Sequence, residues 1–229
     1  MKLSVLMPVY NEVNTIEAIL KRIQDVPVDK EVLLVDDCST EGTRQLLTDR
    51  YGNGKDNVRV FYHDKNMGKG AAVRTALGYA CGEYSIIQDA DLEYDPMDYI
   101  KLLDCVQENN ADVVYGSRFL KTWMVTSFFH FAVNKFLTVL TNMLFKASLT
   151  DMETCYKLVK TGVLRGLSLK SEKFEIEPEI TVKLLKKRYK IFEVPIFYSG
   201  RSYGQGKKIT WTDGITAAWT LLKLRFSDI

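Results

Sequence analysis

The chain of 229 residues has few cysteines, and their spacing forms no pattern typical of a metal site or a disulfide framework. Zinc sites and small disulfide-bonded domains usually depend on closely paired cysteines, and none are paired here. We therefore expect buried, reduced thiols and a protein of a reducing compartment. The thiols are those of Cys38, Cys81, Cys105 and Cys155.

A strong net charge is also missing, because the formal charge at pH 7 is only +2. Proteins that bind nucleic acid through the phosphate backbone usually carry a marked basic excess. We therefore expect no nucleic-acid partner.

Long hydrophobic runs are absent as well. A membrane-spanning helix needs about 18 or more apolar residues, and the nearest candidate, 127–145, is interrupted by Asn134 and Lys135. The apolar run at residues 3–9 is too short for a signal peptide, and Asn11 and Glu12 follow it where a cleavage site should lie. We expect a cytoplasmic protein that is soluble or lies on the cytoplasmic face of a membrane.

Linkers, internal repeats and low-complexity tracts are not seen either, and the composition is 46% hydrophobic and 26% charged. These features predict one domain over residues 1–229, with a first half at 1–118 and a second half at 119–229. In the first half, strands are predicted at 3–9, 31–35, 58–62, 84–88 and 111–115, alternating with helices that start at Asn14 and cover 43–51, 68–80 and 96–108. The second half is predicted to hold a helix at 125–146, a loop at 150–155 that enters a strand, a helix at 178–187, a strand at 190–194 and a last helix ending at Phe226. Such alternation is typical of an α/β fold with a mainly parallel, doubly wound sheet and helices on both faces.

Polar clusters follow four of the predicted strands. In parallel α/β sheets, ligands bind beyond the carboxyl ends of the strands, so these clusters outline a site. They are residues 10–12, 36–37, 89–91 and 116–118.

The strand at 84–88 ends in two carboxylates, Asp89 and Asp91, separated by one small residue. In an extended backbone, residues two apart face the same way, so both side chains can point at one spot. Two anions held so closely repel each other unless a cation is nearby. A hard cation such as Mg2+ or Mn2+, held by carboxylates and substrate phosphates, is the expected ligand.

The glycines around Lys69 do not form a standard nucleotide-binding loop. The Walker pattern fails because His63 occupies its first glycine position and Gly70 follows the lysine in place of Ser or Thr. The dinucleotide-binding pattern fails because Val73 stands where its third glycine belongs. The sequence therefore supports neither an ATPase nor a dehydrogenase.

Six ordered segments resemble the motifs of glycosyltransferase family 2. Within that family, the resemblance is to transferases of the dolichol-phosphate mannose synthase type, which act on polyprenyl phosphates, and it covers nearly the whole chain. The segments are PVYNE (8–12), VDDCS (35–39), NMGKG (66–70), DADL (89–92), GSR (116–118) and RSYGQGK (201–207).

The resemblance implies a GT-A fold, a GDP- or UDP-hexose donor, inversion at the sugar and a divalent metal, Mg2+ or Mn2+. It places Asp89, Asp91 and Glu93 at the metal, although glutamine is usual at the position of Glu93. The implied donor-binding residues are Pro8, Tyr10, Glu12, Val35, Asp37, Lys69, Asp89, Ala90, Asp91, Arg118, Arg201 and Lys207.

The sequence is compatible with two classes of acceptor and with a protein that has no acceptor. A polyprenyl phosphate is already anionic and needs cations rather than a base; Lys121, Lys135 and Lys208 are candidates. A hydroxyl acceptor, as in polysaccharide or glycolipid synthesis, needs a general base. A non-catalytic nucleotide-sugar-binding protein is a third possibility. The candidate bases are Asp151, Glu175 and Glu177.

Two aromatic-rich segments predict where the acceptor lies. Amphipathic helices with basic flanks can lie in a membrane interface, which predicts peripheral membrane association. The alternative is that both pack on the domain, in a homo-oligomer or against a membrane-protein partner. One segment, 123–145, carries Phe128, Phe129, Phe131, Phe136 and Leu137; the last helix carries Trp211, Ile215, Trp219, Leu222 and Phe226 with Lys223 and Arg225.

Overall fold

The computed structural model describes residues 2–52, 54, 57–120, 128–200 and 211–227, without the side chains of 128–130 and 211. Within these residues the strands form one seven-stranded sheet in the order β3-β2-β1-β4-β6-β5-β7. Every neighbouring pair is parallel except those of β6, which runs antiparallel to β4 and β5. The strands are β1 (Leu3–Val9), β2 (Lys30–Asp36), β3 (Val58–Tyr62), β4 (Tyr84–Ile87), β5 (Val113–Ser117), β6 (Lys157–Lys160) and β7 (Phe192–Pro195).

Eight helices accompany the sheet in the described part of the chain. In α1, for example, Ile16, Ile19, Leu20 and Ile23 recur at helical spacing and are all buried, as the sequence pattern predicts. The helices are α1 (Ile16–Asp25), α2 (Thr43–Tyr51), α3 (Lys69–Tyr79), α4 (Asp98–Asn109), α5 (Phe128–Phe145), α6 (Thr161–Gly166), α7 (Ile176–Lys186) and α8 (Trp211–Phe226).

The hydrophobic core has two parts. The larger surrounds the sheet, where β2 is buried along its whole length, as expected for a strand covered on both faces. The smaller lies among α5, α7 and α8, and includes Leu137, Val182 and Leu221. The second half of the chain thus adds a helical layer with its own apolar contacts.

Several local predictions are wrong. Helix α1 is capped at Thr15 rather than Asn14, and the Thr15 hydroxyl donates to Glu12 Oε2 (2.7 Å) and to the carbonyl of Ala90 (2.9 Å). Strand β5 extends through Ser117, so the cluster at 116–118 begins inside the strand. Helix α6 was not predicted.

The cysteine prediction is partly correct. All four thiols are free, but Cys81 is exposed and Cys38 is half-buried, so only Cys105 and Cys155 are the expected buried thiols. Among the described helices, none has the length and apolar character needed to cross a bilayer.

Candidate active site at the carboxyl ends of the strands

The loops after β1, β2 and β4 meet because these strands are neighbours in the sheet. The backbone N–H of Asn11 donates to Ser39 Oγ (2.9 Å), and the N–H of Glu12 donates to Thr43 Oγ1 (3.0 Å). Thr15 bridges the loop after β1 to Ala90, as described above. Hydrogen bonds therefore hold together the segments that carry three of the polar clusters predicted from sequence.

Other predicted donor residues lie along the same edge. Pro8 and Tyr10 are half-buried at the end of β1, whereas Val35 is fully buried within β2. Asp37 accepts backbone hydrogen bonds from Met67 (2.8 Å) and Gly68 (2.7 Å). It also pairs with His63 Nδ1 at 2.7 Å. The Asp37 carboxylate thus fixes the loop that leads into α3.

Lys69, the first residue of α3, lies between two carboxylates. Its Nζ is 2.7 Å from Asp89 Oδ1 and 3.2 Å from Glu177 Oε1, and its side chain is only 12% exposed. Burial alone would lower the pKa of Lys69, but the carboxylates of Asp89 and Glu177, with the Cys155 thiol, raise it well above its usual value. The ammonium therefore stays charged and neutralises part of the acidic cluster.

Glu177 links this cluster to a second lysine. Its Oε2 accepts a hydrogen bond from Lys157 Nζ at 2.8 Å, and the Lys157 side chain is fully buried. Lys157 Nζ also donates to the carbonyl of Thr154 and lies 5.0 Å from the centre of the Tyr115 ring. A continuous chain of ion pairs thus joins Asp89, Lys69, Glu177 and Lys157. The sequence analysis missed Lys157, since a lysine in a short strand gives no signal of its partner.

The predicted metal ligands have different surroundings. Asp91 Oδ1 accepts the backbone N–H of Glu93 (3.1 Å), and Glu93 Oε2 accepts the hydroxyl of Tyr198 (2.7 Å). Within the described residues, no three or more Asp, Glu, His or Cys side chains are arranged to hold a metal. Asp89 and Asp91 supply hard oxygen ligands, so this donor set fits a cation held by one or two carboxylates and completed by substrate phosphates, the arrangement common for Mg2+.

Arg118 and Asp151 form a two-point ion pair. Arg118 Nε lies 2.7 Å from Asp151 Oδ2, and Nη2 lies 2.7 Å from Oδ1. The backbone N–H of Arg118 also donates to Oδ2 (3.0 Å), and the Asp151 side chain is fully buried. Both carboxylate oxygens are therefore occupied by the arginine. Asp151 is the counter-ion of Arg118 in this structure, which favours a structural role for Asp151 over that of a general base.

Glu153 is a second acid that the sequence analysis missed. Its Oε1 is buried and has no hydrogen-bond partner in the described part of the chain. Burial raises the pKa of Glu153 to about 7, although the charge of Lys157 opposes this. Glu153 is therefore a carboxyl group that titrates near neutral pH.

The remaining predicted acids and cations are placed as follows. Glu175 lies at the start of α7, and its Oε1 accepts the backbone N–H groups of Glu172 and Lys173 (3.4 and 3.3 Å). Lys135 donates to the carbonyl of Thr150 (3.2 Å), close to Asp151. Lys121, Arg201, Lys207 and Lys208 lie outside the described residues.

Comparison with protein families gives a match to the family described as Glycosyl transferase family 2 over residues 4–167. Among curated proteins, the chain is 28% identical over 216 residues to the dolichol-phosphate mannosyltransferase of Pyrococcus furiosus. That match covers 90% of this chain and 59% of the relative, so the chain spans little more than half of its length. The polyprenol monophosphomannose synthase of Mycolicibacterium smegmatis is 26% identical over 211 residues, 89% of this chain and 79% of the relative.

Solved structures show the same fold. Glucosyl-3-phosphoglycerate synthase from Mycobacterium tuberculosis, in complex with Mn2+, UDP and phosphoglyceric acid, aligns with a TM-score of 0.72 at 16% identity. The match covers 100% of this chain and 80% of that one. S. aureus TarS in complex with UDP-GlcNAc aligns with a TM-score of 0.64 at 19% identity, over 98% of this chain and 66% of that one. The GT-A fold expected from the sequence motifs is thereby confirmed.

Proposed function

Because this chain belongs to glycosyl transferase family 2, we propose that it transfers a hexosyl group, with inversion, from a GDP- or UDP-sugar to a polyprenyl phosphate. The observation that carries the choice of acceptor is the buried Arg118–Asp151 ion pair. Asp151, a leading candidate for a general base, has both oxygens on Arg118 and is not poised to take a proton. An anionic phosphate acceptor needs no base. The names of the two curated relatives support the same acceptor class.

The donor would bind across the carboxyl ends of β1, β2 and β4. The nucleoside would lie near Tyr10 and Glu12, and the diphosphate near Asp89 and Asp91. A divalent cation, Mg2+ or Mn2+, bound by these carboxylates would neutralise the charge that develops on the departing nucleoside diphosphate. We assign Ala90, Arg118, Arg201 and Lys207 to the same diphosphate.

Cationic side chains of the protein would then bind both the diphosphate of the donor and the phosphate of the acceptor. Nε and Nη2 of Arg118 face Asp151, and Nη1 makes no hydrogen bond within the described residues, so it is the nitrogen suited to a substrate phosphate. Lys135 donates to the carbonyl of Thr150, the residue next to Asp151. Fixed positive charges stabilise the leaving diphosphate more in the transition state than in the ground state. We propose that residues 1–118 bind the nucleotide sugar and that residues 119–229 supply the acceptor side of the site.

A membrane surface is the proposed location of the acceptor, at the cytoplasmic face. Lys186 Nζ donates to the carbonyls of Leu224 (2.7 Å) and Ser227 (2.5 Å), and the Arg225 guanidinium lies 5.9 Å from the Phe145 ring. The last turns of α5, α7 and α8 therefore converge. We call the exposed side chains here and along α5 and α8 the helix-layer surface. Its apolar members are Phe136, Val139, Met143, Ile215, Trp219, Leu222 and Phe226. Its basic members are Lys146, Lys187, Arg188, Lys190, Lys223 and Arg225. Exposed apolar side chains with basic neighbours suit a bilayer interface.

The test is a transfer assay on the purified chain with labelled GDP-mannose or UDP-glucose, Mn2+ and a polyprenyl phosphate in detergent. We expect a labelled, acid-labile sugar phosphate lipid. A mild-acid-stable glycoside formed on a hydroxyl acceptor would overturn the acceptor assignment. Nucleotide-sugar binding without turnover across acceptors would instead indicate a binding protein.

A thermal-shift panel of UDP-, GDP- and dTDP-sugars with and without Mn2+ identifies the donor, since ligands that bind the native state raise its stability.

A further inference from the structure

Lys69 joins Asp89 and Glu177, which lie 88 residues apart in the sequence. Asp89 follows β4, whereas Glu177 lies in the first turn of α7. Lys69 Nζ approaches both, at 2.7 Å from Asp89 Oδ1 and 3.2 Å from Glu177 Oε1. The contact with Glu177 lacks hydrogen-bond geometry, and Glu177 Oε1 is buried without a hydrogen bond. A buried carboxylate oxygen held beside an ammonium is a ready second acceptor for it.

The backbone around Lys69 is held firmly in place. The N–H of Ala71 donates to the carbonyl of Glu172 (3.0 Å). A Cβ added at Gly70 would lie 2.5 Å from the carbonyl oxygen of Ser171, so α3 packs closely on the segment that precedes α7. Glu177 is fixed in turn, because Lys157 Nζ holds its other oxygen at 2.8 Å. Only the end of the Lys69 side chain needs to move to exchange one carboxylate for the other.

The exchange would move a positive charge away from a carboxylate that is assigned to the cation. With Lys69 on Asp89, the protein itself neutralises one of the two carboxylates assigned to the cation. A divalent cation arriving at Asp89 and Asp91 would be repelled by an ammonium bonded to the same carboxylate. Glu177 offers Lys69 an anionic partner away from that carboxylate.

We propose that Lys69 shifts its hydrogen bond from Asp89 Oδ1 to Glu177 Oε1 when a divalent cation binds, and that Glu177 is the positioning residue that sets the affinity of the site for that cation. This inference rests on the proposed cation site at Asp89 and Asp91. It makes α7, in the second half of the chain, part of the control of donor binding in the first half. Glu177 acts through Lys69 and does not itself touch the cation.

The experiment is a Mn2+ titration followed by electron paramagnetic resonance, with UDP present, on wild type, E177Q and K69Q. We expect E177Q to weaken Mn2+ binding roughly 10-fold or more, as for other residues that support a metal ligand, because Lys69 stays on Asp89. K69Q removes the competing ammonium, so its Mn2+ affinity should match or exceed that of wild type. The double variant should resemble K69Q, since Glu177 has no effect without Lys69.

Glu179 provides the matched control. It is a buried α7 glutamate that pairs with a different lysine, Lys183, at 2.7 Å, so E179Q should leave Mn2+ affinity unchanged. If E177Q unfolds because Lys157 is left unpaired, K157M/E177Q removes that buried charge and repeats the test.

The outcomes separate the two proposals. Equal Mn2+ affinity for E177Q and wild type, with wild type binding Mn2+ normally, would overturn the shift of Lys69 and leave the proposed function intact. A loss of UDP affinity in K69Q, with no effect of E177Q on Mn2+, would make Lys69 a direct phosphate ligand instead. Absence of Mn2+ binding by wild type with UDP present would overturn both the cation site and this inference.

Discussion

Glu153 is a residue whose protonation the fold changes. Its ordinary pKa is 4.5, and burial raises it to about 7 in the folded chain. Between these two pH values the folded state binds a proton that the unfolded state has released, so stability falls as pH rises through this window. Above pH 7 the folded state holds Glu153 as a buried carboxylate, and the free energy of unfolding is lowered by the full cost of burying that charge.

We therefore predict that E153Q is more stable than wild type at pH 8 by about 3 kcal/mol, and equally stable near pH 4.5. Denaturant unfolding at several pH values measures this difference. E108Q, at an exposed position on α4, is the control and should show no such trend. A constant difference between E153Q and wild type from pH 4.5 to 8 would contradict the raised pKa.

Asp151 illustrates how a buried charge depends on its partner. Removing it in D151A leaves the Arg118 guanidinium, whose side chain is only 9% exposed, without a counter-ion. We expect a loss of about 3–5 kcal/mol in the free energy of unfolding. Removing both charges in R118M/D151A should cost clearly less than the sum of the two single changes. Additive losses in denaturant unfolding would show that the pair is not coupled.

At the scale of elements, α3 depends on the glycines at its start. A Cβ at Gly70 would meet the carbonyl oxygen of Ser171 at 2.5 Å and the backbone of Glu172 at 2.9 Å. Gly68 has a φ of +91°, a conformation that other residues rarely adopt. The glycines on either side of Lys69 thus allow close packing of α3 on residues 171–173, a role that no local sequence pattern indicates.

We predict that G70A lowers the free energy of unfolding by about 1–3 kcal/mol, because the backbone of 171–173 must shift. It should also weaken donor binding, since Lys69 moves with the helix. G78A, in the same helix, adds a Cβ that meets nothing within 4 Å. This control should be neutral or stabilise by up to about 1 kcal/mol, since alanine favours helix. Similar losses in both variants would contradict the packing explanation.

The regular elements were largely predictable because their burial patterns are simple. The centre of the fully buried β2, residues 32–35, is a continuous apolar run, and the α1 stripe has helical spacing. Strand β6 was foreseen only as a strand after residues 150–155. Its antiparallel position between β4 and β5 depends on long-range pairing, such as Val159 with both Ser85 and Val113, which no local pattern encodes.

At the scale of the whole molecule, the helix-layer surface is the part of the protein that we expect to contact a membrane. Trp219 is 66% exposed and Phe226 is 85% exposed, so neither contributes much to the core. We predict that W219S/F226S keeps the stability of wild type but loses most binding to phospholipid vesicles in a sedimentation assay. Binding equal to wild type would exclude this surface as the contact.

The basic part of the same surface predicts a dependence on lipid charge. K187Q/R188Q/K190Q should weaken binding to vesicles that contain anionic lipid by about 1 kcal/mol per charge removed, and should affect neutral vesicles little. The matched control is K21Q/R22Q on α1, which removes exposed charges from a different helix. Equal effects of both variants would indicate a general charge effect rather than a docking surface.

The sequence by itself determined the alternating α/β elements, the acidic edge of the sheet and the family, because these depend on local periodicity and on motifs whose residues lie a few positions apart. It also named Asp89, Asp91, Arg118 and Asp151 as candidate site residues. Only the tertiary structure decided which charges neutralise one another, namely Arg118 with Asp151 and Lys69 with both Asp89 and Glu177. Ion pairing depends on distances of a few ångströms between residues far apart in the chain, and these distances exist only once the sheet and α7 have assembled.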